Sequence, residues 1–472
     1  MSSLFAALGN AGNALTVLEQ AMAVVQNNVA NAQTPGYVTQ TMQINAGLFD
    51  PSHGELGGIM AGNIQSSRNL FAENSVWSAN QQLGSATQQN SSLQALQQAF
   101  NVSGNGGIPG ALSQLYSAFS AWSSSPSTST AQQQVVNAAQ TLATAINSTA
   151  STAQTVNSQA QQQTQVVATQ INQIASQIAI LNGEIQSGNT NNAGLDAQLY
   201  SNLENLSNLA DISVRTHTDG SVDVLLGGQV SLVTGSTSQT ISVQSNNSGN
   251  ANAPALQQII SNGQDVTAKV HAGQLAGLLQ VTNNDIPSLL GSATQQGSLN
   301  QLAQGIADRV NSLLASGQTS SGTAGVPLFT FGNGASTSIA QTLSVVPGIR
   351  GSQLAAVDPG PPQVSNGIAD KLASLQNPTS AADMINGYSF TDFYSSIAAN
   401  VGNLASSASQ SQTAQTQILA QAQNARGQAS GISLNAQAAA LLQYQNAYQA
   451  SAQAFSTIRS TLSYFLQSIA SA

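Results

Sequence analysis

Residues 8–29 read LGNAGNALTVLEQAMAVVQNNV, and their apolar side chains recur in alternating steps of three and four. The stripe consists of Leu8, Ala11, Leu15, Leu18, Met22, Val25 and Val29. This spacing keeps one narrow apolar stripe along a helix and is typical of a coiled-coil seam. We therefore predict a helix over about residues 3–31 that pairs along this stripe with a second helix.

The C-terminal end of the chain carries a matching pattern. Its apolar positions are Leu434, Ala438, Leu441, Tyr448, Ala452, Phe455, Leu462, Leu466 and Ile469, with Gln445 and Arg459 as polar interruptions. We predict that residues 1–35 and 434–472 form two assembly helices that pair with each other, or with neighbouring copies. Neither stripe is large enough to stabilise an isolated two-helix arm, so we expect both ends to become ordered on assembly.

Between these ends, the periodicity changes twice. Residues 130–186 are patterned as one long helix, and we assign residues 36–208 to a helical domain with a long α-hairpin that residues 365–433 complete. From Ile212 onward the pattern alternates with period two around a turn at Asp219–Gly220, and a strand pattern also covers Ile259–Val270. Residues 209–364 are therefore predicted to form a β-rich inserted domain. The predicted fold class is α+β multidomain, with a long terminal coiled coil and a helical bundle.

Charged residues are scarce in this chain. They make up 5% of 472 residues, the net charge is −9 and the pI is about 4.4. The eight basic residues are scattered, and a phosphate backbone or an anionic membrane requires clustered Lys and Arg. We therefore predict neither a nucleic acid nor a membrane as a partner. A neutral polar surface lets copies approach closely, which favours a subunit of a dense assembly, with a low-charge secreted protein as the alternative.

The sequence shows no targeting segment that the general export pathway would recognise. Its first charge is Glu19 and its first Arg is Arg68, so no cationic n-region opens the chain. No apolar run approaches the length of about 18 residues that a membrane span needs. The chain also contains no cysteine. We expect a protein without a cleavable signal peptide, either cytosolic or exported by another route.

Motifs for catalysis or metal binding are missing. His53, His217 and His271 have no metal-ligand spacing. Asp211, Asp219 and Asp223 are more typical of turn formers and a solvated face than of paired catalytic acids. We predict a structural protein that is not an enzyme and binds no cofactor or metal, and the alternative is an enzyme hidden in the β-rich middle.

Several motifs resemble bacterial flagellar proteins. Residues 27–37, NNVANAQTPGY, resemble the N-terminal signature of the flagellar rod, hook and hook-associated proteins. Pro35 and Gly36 supply the fixed φ and the positive φ of a type II turn. Further stretches are similar to the hook-associated protein 1 family: INQIASQIAILNGEI at 171–185, GQLAGLL at 273–279, residues 302–311 followed by GVPLF at 325–329, and QYQNAYQASA at 443–452. The chain departs from that family where the run from Leu195 to Tyr200 lacks its usual Arg.

The resemblance implies a structural subunit at the junction between the flagellar hook and filament, outside the cell, exported by the flagellar type III route. Implied partners are a ring of further copies, the hook protein, the second hook–filament junction protein, and an export chaperone that holds the C-terminal helix. Another axial protein, such as a hook or distal rod subunit, is the alternative. The residues we predict for assembly are Leu8, Leu15, Leu18, Met22, Val25, Asn28, Val29, Asn31, Pro35, Gly36, Tyr37, Leu441, Tyr448, Phe455, Leu462, Leu466 and Ile469.

Overall fold

The computed structural model describes residues 2–50, 55–100, 106–188, 192–246, 253–332 and 338–470. The helices in these ranges are α1 (Ser2–Ala30), α2 (Leu70–Ala99), α3 (Gly107–Ser124), α4 (Ser129–Gln186), α5 (Ala193–Leu209), α6 (Gly273–Gln280), α7 (Ile286–Leu290), α8 (Ser298–Ala315), α9 (Ile339–Thr342), α10 (Gly367–Ser374), α11 (Phe390–Ser430) and α12 (Leu434–Ala470). The strands are β1 (Gln40–Ala46), β2 (Phe49–Asp50), β3 (Glu55–Leu56), β4 (Ile59–Ser66), β5 (Ile212–Thr216), β6 (Val222–Leu226), β7 (Val230–Thr234), β8 (Thr237–Ser238), β9 (Ile241–Asn246), β10 (Leu256–Ser261), β11 (Gln264–Asp265), β12 (Phe329–Phe331) and β13 (Leu343–Val345).

The two terminal helices lie side by side, and we call α1 and α12 the arm pair. The predicted helix at residues 3–31 is confirmed, since α1 spans Ser2–Ala30. A turn over residues 34–37 follows, closed by a hydrogen bond from Tyr37 N to Thr34 O of 3.2 Å. Gly36 has φ of 75°, as the type II turn requires. The turn directs the chain into β1, which pairs antiparallel with β4.

The remaining helices and sheets, from α2 to α11, form what we call the body. Its spine is α4, which is 58 residues long and confirms the long helix predicted from the sequence. The stripe of α4 formed by Val167, Ile171 and Ile178 is fully buried. Helices α2 and α11 pack along one another, and α3 and α5 pack against α4. The body core is continuous from Trp77 and Trp122 to the sheets.

Two small sheets dock on α4 through its asparagines. Strands β5 to β8 form a four-stranded antiparallel sheet, and β9 to β11 form a three-stranded one. Asn182 donates to the carbonyls of Val222 and Gly235 at 2.7 Å each and accepts from Val222 N at 2.9 Å. Asn172 makes the same two-way contact with Ile241. The period-two pattern after Ile212 is thus confirmed, and one asparagine of α4 makes two-way hydrogen bonds with each sheet.

The strand pattern predicted over Ile259–Val270 is wrong in its second half. Strand β10 ends at Ser261, because Asn262 and Gly263 adopt φ of 50° and 76° and reverse the chain into the two residues of β11. A short 3-10 turn follows, and then α6, a π-helical turn at Val281–Asp285 and α7 continue as helix. Apolar alternation over a few residues does not distinguish a strand from a turn that buries alternate side chains.

Within the described ranges, none of the helices combines the length and the apolar character that crossing a bilayer requires.

Candidate assembly interface

The arm pair is antiparallel. Asn28 of α1 contacts Gln437 near the start of α12, Glu19 contacts Tyr448, and the Cβ position of Gly12 lies 3.7 Å from the Phe455 ring. Residue numbers therefore rise on α1 as they fall on α12. Helices α1 and α12 therefore run in opposite directions along their contact.

Asn28 of α1 joins the turn at Tyr37, strand β1 and helix α12 at one buried point. Its side chain is 0% exposed. The Nδ2 group donates to Gln40 O at 2.8 Å and to Gln437 Oε1 at 2.9 Å. The Oδ1 atom accepts from Gln40 N at 2.9 Å and from the Tyr37 hydroxyl at 3.2 Å. An Asn side chain has two donors and two lone pairs, so every hydrogen bond it can make is made here.

The sheet of β1 and β4 packs on the arm pair. Val17 and Ala21 of α1 form a small apolar cluster with Met42 of β1, and Ile59 and Tyr444 pack against it. Strands β1 and β4 thus lie against α1, although the predicted domain boundary at residue 36 assigns them to the helical domain. That boundary stays a prediction.

The predicted assembly residues differ in how far this single chain buries them. Leu18, Val25, Asn28 and Leu462 are buried. Partly buried are Leu8, Leu15, Met22, Asn31, Gly36, Tyr37, Leu441, Tyr448 and Phe455. Val29, Pro35, Leu466 and Ile469 are exposed. The predicted stripe therefore lies only partly in the contact between α1 and α12, and its exposed members stay predictions for contacts between copies.

Asn31 and Gly36 shape the end of α1. The Asn31 amide donates to the carbonyl and to the side chain of Asn27, and Asn31 Oδ1 accepts from the Thr34 hydroxyl at 3.0 Å. A Cβ atom on Gly36 would lie 2.3 Å from Ala197 O of α5. Glycine is therefore needed here both for the positive φ and for the close approach of the turn to the body.

The sequence did not predict the contacts at the arm root, where the chain passes between the arm pair and the body. We define the arm root by Thr39, Ser67, Asn69 and Ser430. Ser430 is 2% exposed at the end of α11. Its carbonyl accepts from Thr39 N and from the Ser67 hydroxyl, both at 3.2 Å, and its hydroxyl accepts from Asn69 N at 3.0 Å. One residue thereby ties three passages of the chain together.

Beside the arm root lies a charge cluster formed by Arg68, Glu73, Asp196, Glu204 and Arg426. Glu73 has only 2% of its side chain exposed and bridges Arg68 at 2.6 Å and Arg426 at 3.1 Å. Arg68 also pairs with Asp196 at 2.6 Å, and Arg426 pairs with Glu204 at 2.6 Å. Five charges meet here in a chain with only 8 basic and 17 acidic residues.

Arg68 connects this cluster to the turn of the arm. Its guanidinium donates to Gly36 O at 2.7 Å and lies 3.6 Å above the ring of Tyr200. Burial raises the pKa of the Tyr200 hydroxyl to about 12, so the ring under Arg68 is neutral at physiological pH. Asp196 belongs to the run from Leu195 to Tyr200 that lacks the Arg usual in the similar family. In this structure, Asp196 of that run pairs with Arg68, which lies just before α2.

The candidate catalytic residues do not form a site in the described part of the chain. His217 Nε2 lies 3.0 Å from Asp223 Oδ2 on the β5–β6 hairpin, with about half of its side chain exposed. Asp219 accepts from the backbone and the hydroxyl of Ser221 and so forms the hairpin turn. His271 is exposed and His53 lies outside the described residues. The described residues contain no group of three metal-ligating side chains.

Two comparisons with known proteins point to the same class of protein. Residues 93–329, just over half of the chain, match the model of the flagellar hook-associated protein FlgK helical domain. Among solved structures, the flagellar hook junction protein FlgK from Burkholderia pseudomallei superimposes with a TM-score of 0.64 and 17% identity. That match covers 75% of this chain and 99% of the other. At this identity it shows a shared fold, which confirms the α+β multidomain class. No curated protein matches the chain.

Proposed function

Because the chain belongs to the flagellar hook-associated protein FlgK family, we propose that it is the structural subunit that joins the flagellar hook to the filament. In this proposal, copies assemble into a ring through the arm pair, and the body forms the outer part of the junction. The observation that carries the proposal is the arm pair itself, an antiparallel pair of terminal helices that exposes large apolar side chains and lies beside a charge cluster centred on the buried Glu73.

The exposed side chains of α12 support assembly through the arm pair. Leu442, Tyr464, Phe465, Leu466 and Ile469 are each between 46% and 74% exposed. A helix pair that exposes such side chains to water gains about 25 cal/mol for each Å² of apolar surface that neighbouring copies cover. Low charge on the same helices removes the repulsion that would oppose close packing. Contact with further copies is thus the favourable state of these helices.

The proposed partners follow from this position in the flagellum. They are the hook protein on one side of the ring, the second hook–filament junction protein on the other, and an export chaperone that covers the C-terminal helix before assembly. A hook-associated component lies in the extracellular flagellum, and we propose that this chain reaches it without a cleavable signal peptide. Its role is structural, and we propose no catalytic activity.

Electron microscopy of cells that lack the gene tests the proposal. We expect intact hooks without filaments, and filament subunits shed into the medium. Re-expression of the full chain should restore filaments, whereas a chain of residues 36–433 should not. Normal filaments in the deletion strain would overturn the junction role. Restoration by residues 36–433 would overturn assembly through the arm pair.

A further inference from the structure

The arm pair carries one charge of each sign. Glu19 is the single charged residue in the sequence of α1, and Arg459 is the single one in α12. Both side chains are exposed. All other side chains of these two helices are apolar or neutral and polar, so two opposite charges stand out on a neutral surface.

Glu19 and Arg459 lie too far apart to pair within one chain. The Tyr448 hydroxyl donates to Glu19 Oε1 at 3.0 Å, so Glu19 is level with Tyr448 of α12. Arg459 follows Tyr448 by three helical turns, which places it on the same face of α12 and about 16 Å further along the axis at 1.5 Å per residue. In the described part of the chain, Arg459 has no ion pair. Among the described residues, neither Glu19 nor Arg459 therefore has an opposite charge as its partner within one copy.

When arm pairs pack against one another, the distance between Glu19 and Arg459 within one copy becomes unfavourable in free energy. When neighbouring helices exclude water, an unpaired charge loses its hydration and requires an opposite charge nearby. The arm pair of a second copy offers one opposite charge for each. Glu19 of one copy lies beside Arg459 of the other when the two arm pairs run in the same direction and are displaced by about 16 Å along their axes.

Apolar packing alone leaves this displacement poorly defined. The stripes of α1 and α12 consist largely of small residues that repeat every three or four positions. Shifts by 7 or by 11 residues bring similar side chains opposite one another, because both return to nearly the same face of the helix. A single polar or charged contact is the usual device by which helix assemblies select one register.

We propose that Glu19 of one copy forms an ion pair with Arg459 of a second copy of this chain, and that this pair fixes the axial stagger between contacting arms. The pair joins a carboxylate to a guanidinium, the geometry that favours two parallel N–H···O hydrogen bonds. The inference rests on the proposed function, since it concerns arms that are packed in the assembled junction.

Disulfide cross-linking in assembled flagella tests the stagger directly. The chain has no cysteine, so Glu19→Cys and Arg459→Cys introduce the only two thiols. In cells whose junctions contain the double variant, oxidation should yield a ladder of dimers, trimers and higher species. A pair about 16 Å apart in one copy exceeds the Cα separation that a disulfide tolerates. The matched control combines Gln20→Cys with Arg459→Cys and should give at least about tenfold less ladder.

Charge reversal supplies the second measurement. Glu19→Arg or Arg459→Glu alone should reduce the copies incorporated per hook by at least about tenfold, and the double reversal should restore them. Cross-link ladders together with this restoration support the proposal. Assembled variant junctions without a ladder, single reversals that incorporate normally, or a double reversal that stays defective would each overturn it. The proposed function fails separately if the unmodified chain is absent from isolated hook–filament junctions.

Discussion

Replacement of Arg68 by Met should loosen the arm root. Met retains an unbranched apolar chain beside Tyr200 but has no guanidinium, so the change removes the ion pairs to Glu73 and Asp196 and the hydrogen bond to Gly36 O. The Arg68 side chain is 5% exposed, so water does not replace the lost partner. Glu73 then keeps Arg426 as its single cation, at 3.1 Å.

The size of the effect follows from these contacts. Removal of one member of a buried ion pair costs about 3–5 kcal/mol, because the other charge stays buried. The lower end applies here, since Glu73 retains Arg426 and Asp196 is 32% exposed. The unsatisfied Gly36 carbonyl adds about 1 kcal/mol. We therefore expect Arg68→Met to lower the free energy of unfolding by about 3–4 kcal/mol.

Urea unfolding followed by tryptophan fluorescence measures this loss locally. The Trp77 ring centroid lies 5.9 Å from that of Tyr200, on whose face Arg68 lies. A loss of 3 kcal/mol should shift the midpoint by about 1 M urea for an m-value of about 3 kcal/mol/M. The control is Arg215→Gln, an exposed Arg on β5, which should change stability by less than about 0.5 kcal/mol. A shift for Arg68→Met no larger than that of the control would refute the reasoning.

Three further changes test other parts of the structure. Asn28→Ala leaves the partners of a fully buried amide unsatisfied and should destabilise the paired state of α1 and α12 by about 2–3 kcal/mol. The effect should be seen as faster hydrogen exchange of α1 in isolated hook–filament junctions, whereas Asn13→Ala on the exposed face should not change it. Leu18→Asp puts a charge at a buried position of the arm pair. It should abolish incorporation into the junction while near-UV circular dichroism of the body stays unchanged, and normal incorporation would contradict the arm assignment. Burial raises the pKa of the Asp285 carboxyl, whose Oδ2 has no hydrogen-bond partner, so the folded state binds this proton more tightly than the unfolded chain. The free energy of unfolding therefore falls as the pH rises above 3.8. In urea unfolding, Asp285→Asn should raise the free energy of unfolding by about 1 kcal/mol at pH 7 and leave it unchanged at pH 3. The control Asp308→Asn, at an exposed position, should leave it unchanged at both pH values.

The long helices were predictable because their signals are local. The three-and-four stripe in α4 and the stripe in α1 depend on neighbouring turns of one helix, and both helices appear within a few residues of the predicted bounds. Gly36 was predictable for the same reason, since a Pro–Gly turn is read from adjacent residues. The face that meets the partner helix was harder to predict. Tyr444 packs into the contact between the arm pair and the sheet, whereas the predicted stripe included the exposed Leu466.

The charge cluster was not predictable from spacing. Glu73 and Arg426 are separated by 353 positions in the sequence and meet only because α2 and α11 lie side by side. Asn28 was singled out as part of a motif, but its four hydrogen bonds depend on where Gln40 and Gln437 are placed by the tertiary fold. The one sequence feature that pointed toward this cluster was the scarcity of charged residues. In a chain with 5% charged residues, a buried position such as Glu73 must find its counter-charges among few candidates.

The distribution of polar contacts separates two tasks along one chain. At the arm root, Arg68 donates to Gly36 O, and Ser430 accepts hydrogen bonds from Thr39, Ser67 and Asn69, so both residues join the arm to the body through specific polar contacts. Along the arm pair, neutral amides and small apolar groups have many equivalent partners, so the surface tolerates a neighbour in several registers. A specific joint combined with a tolerant surface leaves the register of the arms to be set by the contacts between copies. Selection among the registers then requires only a few discriminating groups, and Glu19 and Arg459 are the two charges that the arm pair provides.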